Sequence, residues 1–127
     1  MVEDRITDGR RIAQLLASEL EGREDGEFAR FTVVDADRDV EPTDDGARAY
    51  RVERDDESFA AMFVQPDRAR IEIDVDPERA LEAAEDVELR ARPKATTPPR
   101  TLVFVESGAE VKRATDVLEA ASRDLET

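Results

Sequence analysis

The sequence predicts an α+β fold, in which a two-layer structure has a mostly antiparallel sheet of about five to six strands with helices on one face. Three observations predict it. Apolar residues recur at helical spacing near both ends of the chain, central segments alternate apolar and polar residues, and short turn sequences separate those segments. The predicted order is α-β-β-β-β-α-β-β-α, within a single domain covering residues 1–127.

The first helix is predicted over Thr7–Gly22, where Ile12, Leu15, Leu16 and Leu20 form an apolar stripe spaced by three and four residues. Thr7 or Asp8 is the expected N-cap, and a start near Glu3 is an open alternative. Phe28–Val34 is the first predicted strand. The polar segment Asp35–Gly46, which contains a proline and six acids, is predicted to be a loop.

The next three strands are predicted to form an antiparallel meander of Ala47–Arg54, Ser58–Gln65 and Arg68–Val75, with turns at Asp55–Glu57 and Pro66-Asp67. Ser58–Gln65 is apolar on both faces, so we expect an interior strand in which Phe63 belongs to the core.

The alternation in Arg68–Val75 is regular. It directs Ile71, Ile73 and Val75 inward, and it leaves Arg70, Glu72 and Asp74 on a face expected to be exposed. Tyr50, the only tyrosine, is expected in the core with its hydroxyl at the surface.

The second half of the chain begins with Asp76 as an N-cap and continues with a short helix over Pro77–Asp86. Three further segments follow: an edge strand at Val87–Arg92, a loop at Pro93–Pro99, and an interior strand at Arg100–Glu106 that contains Phe104. Ser107 and Glu110 match a capping box, which opens a last helix reaching about Leu125. The first and last helices are expected to pack side by side.

The composition is strongly acidic, with 33 Asp and Glu against 19 Lys and Arg and a formal net charge of -14. Of the cations, only Lys94 and Lys112 are lysines. This composition resembles that of haloarchaeal, salt-in halophile proteins, and the resemblance implies a cytoplasm of molar salt. The acidic start of the chain is unlike a targeting segment, and the longest apolar run, Phe59–Val64, is too short to span a membrane. We therefore expect a cytoplasmic protein with no membrane contact.

Residue types and motifs exclude several kinds of chemistry. The chain has no Cys and no His, which excludes disulfide frameworks, zinc fingers and His-dependent catalytic pairs. The Asp35–Asp39 segment begins like a calcium loop, but Val40 and Gly46 stand where an EF-hand needs Gly and Glu. The scattered glycines match no nucleotide-binding motif. We predict no catalytic residue, no metal and no cofactor, and the net charge argues against a nucleic-acid partner.

One segment departs from the acidic pattern. Leu89 to Val105 contains no acid and four cations, Arg90, Arg92, Lys94 and Arg100. On a strand, Arg90 and Arg92 point to the same face, and the proline loop can bring Lys94 near Arg100. Such a cluster suits a phosphate, a carboxylate or an acidic partner. The alternative is that these side chains pair with neighbouring acids and only balance local charge.

The sequence therefore favours a non-enzymatic protein-interaction module or a self-associating one, with a homo-oligomer or another protein as partner. The alternative is a small anion- or nucleotide-binding regulatory domain that uses Arg90, Arg92, Lys94 and Arg100. An enzyme that works with carboxylates, Lys, Arg or Tyr50 is the third hypothesis.

Overall fold

The computed structural model describes residues 6–123 and 125, and it confirms the predicted class and order of elements. All strand pairs of its six-stranded sheet are antiparallel, in the order β1-β2-β3-β4-β6-β5. The strands are β1 (Phe31–Val34), β2 (Ala47–Arg54), β3 (Glu57–Gln65), β4 (Arg68–Ile73), β5 (Ala91–Lys94) and β6 (Arg100–Val105). The helices are α1 (Gly9–Gly22), α2 (Pro77–Asp86) and α3 (Val111–Arg123), with short 3-10 helices at Gly26–Arg30 and Gly108–Glu110.

Two of the predicted caps are confirmed. The Asp8 carboxylate accepts a hydrogen bond from the Arg11 backbone N–H at the start of α1, and Asp76 does the same for Arg79 at the start of α2. Each bond satisfies a backbone donor that has no partner within the helix. The alternative start near Glu3 lies outside the described residues. None of the helices in the described part is long and apolar enough to cross a bilayer.

The predicted capping box at the last helix forms differently. The Ser107 side chain makes no capping hydrogen bond. Instead, the Glu110 carboxylate accepts a hydrogen bond from the Glu106 backbone N–H at 2.7 Å. The chain therefore enters α3 through a 3-10 turn.

The core lies between the helices and one face of the sheet. Met62, Ile71 and Val103 point from neighbouring strands into this layer, where α3 contacts both α1 and α2. The expectation that the Tyr50 hydroxyl lies at the surface is wrong, because this hydroxyl is buried and donates to the Ala13 carbonyl of α1 at 2.8 Å. Burial, together with the nearby charge of Glu21, raises the pKa of Tyr50 far above its usual value.

The interior placement of β3 and β6 is confirmed, since each lies between two other strands. However, Phe63 and Phe104 do not belong to the core. They are half-buried on the face of the sheet opposite the helices, outside the core cluster. Both faces of these strands are apolar, but only one of them is covered by helices.

The predicted strand Phe28–Val34 is half wrong, because Gly26–Arg30 forms a 3-10 helix. Strand β2 ends opposite Phe31, where the two-residue turn Asp55-Asp56 leads into β3. A strand at residues 28–30 would therefore have no partner. Phe28 is buried instead, edge-on against Phe31.

The edge strand also starts later than predicted, at Ala91 rather than Val87. The backbone N–H groups of Val87 and Leu89 donate to the Ala84 carbonyl, and Glu88 takes the left-handed conformation with φ 60. These residues complete the C-terminal turn of α2, which commonly ends in this way.

Candidate basic face of the sheet

The face of the sheet opposite the helices carries most of the charged residues of β4, β6 and β5. Residues that pair across these strands share a face, as Arg70 does with Phe104 and Lys94 with Arg100. We call this surface the basic face and define it by its six cations, which are Arg68, Arg70, Arg90, Arg92, Lys94 and Arg100. Three carboxylates lie on the same strands or next to their ends, namely Glu72, Asp74 and Glu106. Three further acids border the face, since Asp67 of the β3–β4 turn contacts Arg68 at 3.2 Å, and Asp44 and Asp45 lie beside Arg70. Cations and acids are therefore equal in number here, whereas the whole chain has 33 acids and 19 cations.

Glu72 lies at the centre of the basic face and is only 1% exposed. Its carboxylate contacts Arg70 Nη2 at 3.1 Å, Lys94 Nζ at 3.3 Å and Arg100 Nη1 at 3.3 Å. A carboxylate withdrawn from water requires such partners, because an unpaired buried charge is costly. The expectation that Glu72 is exposed is therefore wrong: the side chains of two other strands close over it.

Arg70 is the most buried cation of this cluster, with 13% of its side chain exposed. Its guanidinium lies 4.9 Å from the centre of the Phe63 ring and donates to the Asp45 carbonyl at 3.0 Å. Gly46 has φ +92, and a Cβ built there would lie 2.9 Å from the Arg70 guanidinium nitrogens. The end of the 35–46 loop thus holds Arg70 in place, and the positive φ at residue 46 favours glycine there.

The cations of the predicted segment are more accessible. Lys94 and Arg100 each expose 40% of their side chains, and Arg100 also contacts Asp74 at 3.2 Å. Arg92 is exposed, and its guanidinium lies 5.7 Å from the centre of the Phe104 ring. Arg90 is 74% exposed and contacts Glu106 at 3.2 Å.

A shallow basin of about 510 Å³ lies on the basic face. Leu102 and Phe104 contribute apolar surface to it, and Arg92 and Lys94 contribute charge. Asp44 and Asp45 of the preceding loop also line it. The basin therefore combines apolar contact area with several cationic donors.

The proline loop brings together only part of the predicted cluster. Lys94 lies opposite Arg100, and both contact Glu72, whereas Arg90 lies just before β5 and contacts Glu106. Three of the four cations thus have carboxylate partners, as the charge-balance alternative requires, while two of those three remain 40% exposed. The sequence analysis assigned Arg70 and Glu72 to an exposed face and did not include them in the cluster of cations. Their only signal in the sequence is that they lie on one face of β4, a strand between two strands that are apolar on both faces.

Other candidate positions have internal partners. Asp35 contacts Arg51 at 2.8 Å, and Asp37 accepts a hydrogen bond from the Asp39 backbone N–H. Within residues 6–123 and 125, no three acids are grouped closely enough to hold a metal ion.

Comparison with known families places the whole chain, residues 1–127, in a family of unknown function, DUF7993. The chain belongs to this family. No curated protein and no solved structure matches it.

Proposed function

We propose that this member of the DUF7993 family is a non-enzymatic interaction module whose basic face docks a short acidic segment of a protein partner. One observation carries the proposal: six cations lie together on this face in a chain whose net charge is -14. Such a local concentration of cations complements an acidic partner.

The composition of the face supports a protein as the partner. Five of its six cations are arginines, and Phe63, Phe104 and Leu102 lie among them. Arginine and aromatic residues are enriched in protein interfaces, while lysine is depleted. Arginine also binds carboxylates through two parallel hydrogen bonds, which fixes the geometry of the partner.

The size of the face favours a short segment. Two strands of six residues and one of four, about 4.8 Å apart, cover roughly 10–15 Å by 20 Å. This is well below the area of about 800 Å² that each partner buries in a standard interface. A long nucleic acid would extend beyond the face onto predominantly acidic surface, where its phosphates would be repelled.

The acidic composition supports a further part of the proposal, namely that the module works in the cytoplasm of a salt-in halophile. At about 1 M salt the Debye length is about 3 Å, so attraction acts only between groups in contact. A face built from arginine and aromatic side chains suits this solvent, because hydrogen bonds and apolar contacts operate at short range.

The alternative is a small anion- or nucleotide-binding domain. The basin of about 510 Å³ favours it, since Arg92 and Lys94 line it together with the apolar surface of Phe104. A nucleotide would place its base on such a surface and its phosphates on the cations.

The test is binding of a labelled acidic peptide, measured by fluorescence polarisation at about 0.3 M and about 2 M KCl. A peptide of about eight residues that alternates Glu and Leu spans the face when extended. Arg92→Glu should weaken binding at least about tenfold, because it replaces a contact with repulsion. The matched control is Arg11→Glu on the exposed side of α1, which changes the net charge equally and should leave binding unchanged.

Each other outcome contradicts the proposal. Equal losses in both variants would indicate nonspecific attraction, and absence of saturable binding would remove the proposed function. Tighter binding of a single-stranded oligonucleotide, or of a nucleotide, would replace the acidic segment with that ligand. A dimer in light scattering that Arg92→Glu disrupts would identify a second copy of the chain as the occupant.

A further inference from the structure

We infer that Glu72 determines the ligand specificity of the basic face by occupying the position in which a small anion would otherwise bind. This inference rests on the proposed function, in which the face accepts anionic groups. It concerns which anions are admitted.

The first step is the geometry around the carboxylate. Arg70, Lys94 and Arg100 extend from three different strands, β4, β5 and β6, and all reach the two oxygens of Glu72 at 3.1–3.3 Å. Bound phosphate and sulfate ions are held in the same way, by several cationic N–H donors from separate elements. The cluster is therefore an anion site whose occupant belongs to the chain.

The second step is competition for this site. Glu72 is held on a strand next to its partners, so its effective concentration far exceeds that of a free ion at millimolar concentration. It is also only 1% exposed, so an incoming ion has to displace a carboxylate that stays tethered beside it. A free small anion gains little from the exchange.

The third step concerns what remains for a ligand. Lys94 and Arg100 direct charged groups at Glu72 and leave 40% of their side chains exposed, and Arg92 is exposed above the Phe104 ring. Each offers only a few donors, so useful affinity requires several acidic groups on one molecule. Glu72 thus selects an acidic segment over a free phosphate.

The experiment titrates inorganic phosphate into the wild-type chain, Glu72→Gln and Glu72→Asp, with ³¹P NMR and thermal unfolding as readouts. Gln removes the charge and keeps the shape of the side chain, whereas Asp keeps the charge as the matched control. We expect no saturable binding by the wild type or the Asp variant. We expect Glu72→Gln to bind phosphate at least about tenfold more tightly, and Lys94→Ala added to it to abolish the gain.

The Glu72→Gln variant loses the negative charge that pairs with three cations, so the substitution can destabilise the fold. In that case the inference requires phosphate to restore folding, as a ligand of the native state does, and KCl of equal ionic strength not to. Failure of this rescue would overturn the inference, as would a folded Gln variant that binds no phosphate. Saturable phosphate binding by the wild type that Lys94→Ala abolishes would overturn it as well.

The acidic-peptide assay separates this inference from the proposed function. A wild-type chain that binds the peptide, with a Gln variant that takes up no phosphate, refutes only the role of Glu72. A wild-type chain that binds no peptide refutes the proposed function, whatever the phosphate titrations give.

Discussion

Gly9, the first residue of α1, lies directly against the backbone of the β3–β4 turn. Its N–H donates to the Pro66 carbonyl at 3.4 Å. A Cβ built on Gly9 would overlap the carbonyl oxygens of Gln65 and Arg68, and would lie 3.0 Å from the Arg68 carbonyl carbon. These obstacles are backbone atoms on both sides of a tight turn, so they yield much less than a flexible side chain would. We therefore expect Gly9→Ala to force α1 away from the sheet.

The expected cost follows from two opposing effects. Overpacking of a well-packed site costs about 1–3 kcal/mol, and a clash with rigid backbone belongs at the upper end. The higher helix propensity of Ala offsets up to about 1 kcal/mol. We expect a net loss of about 2 kcal/mol, which lowers the melting temperature of a domain of this size by about 8 °C.

The measurement is thermal and urea unfolding by circular dichroism at one fixed KCl concentration. Gly22→Ala, at the other end of α1, is the matched control, because a Cβ there meets nothing within 4 Å. This variant should be unchanged or stabilised by up to about 1 kcal/mol. If the two variants unfold within about 0.5 kcal/mol of each other, the close approach of α1 to the turn does not constrain residue 9, and the reasoning is wrong.

Three further predictions concern salt, alkaline pH and the outer phenylalanines. The melting temperature at neutral pH should rise steeply between about 0.1 M and 2 M KCl, mostly at the low end where screening changes fastest, and a flat profile would contradict the proposed halophilic solvent. Tyr50→Phe should cost about 1 kcal/mol at pH 8 because it loses the hydrogen bond to Ala13. Burial raises the pKa of Tyr50, so above about pH 10 the unfolded chain releases the tyrosine proton while the folded chain keeps it. The stability of the wild type should therefore fall more steeply above that pH than the stability of Tyr50→Phe. In urea unfolding, Phe63→Ala and Phe104→Ala should each lower the free energy of unfolding by about 1–2 kcal/mol, whereas Phe59→Ala, at a fully buried ring, should lower it by about 3–5 kcal/mol. Equal losses in the three variants would place all three rings in the core.

The meander was predictable because its determinants are local. Alternation along β4 sets which residues face the core, and short turns set the pairing of its neighbours. Asp55 and Asp56 both have positive φ, as the two-residue turn of a tight hairpin requires. Aspartate tolerates this conformation better than most residues, so a turn at this position could be read from the sequence.

The first strand shows where local pattern fails. Residues 28–34 alternate as a strand does, yet only Phe31–Val34 has a partner, because β2 stops at the hairpin. The preceding 3-10 helix has side-chain contacts far along the chain, since Glu27 accepts a hydrogen bond from Ser122 in α3 at 2.6 Å. Contacts at such separation leave no trace in a short window of sequence.

In the candidate site, the features that depend on local sequence were predictable, and those that depend on distant contacts were not. The absence of acids from Leu89 to Val105 and the proline loop indicated that Lys94 and Arg100 approach each other, and their pairing is confirmed. The burial of Glu72 was not predictable, because alternation only reveals that it lies on the face away from the core. Its exclusion from water depends on long side chains from β5 and β6 that extend over it.

The acids of the 35–45 segment and the cations of the basic face lie in different kinds of structure. The Asp35–Asp45 segment alone carries six carboxylates and one arginine, and it lies in a loop, where its charges remain hydrated. Five of the six cations of the basic face lie on strands, where the hydrogen-bonded sheet fixes the spacing between them. In the molar salt of the proposed halophilic solvent, attraction acts over only about 3 Å, so under the proposed function this fixed spacing is what distinguishes one acidic segment from another.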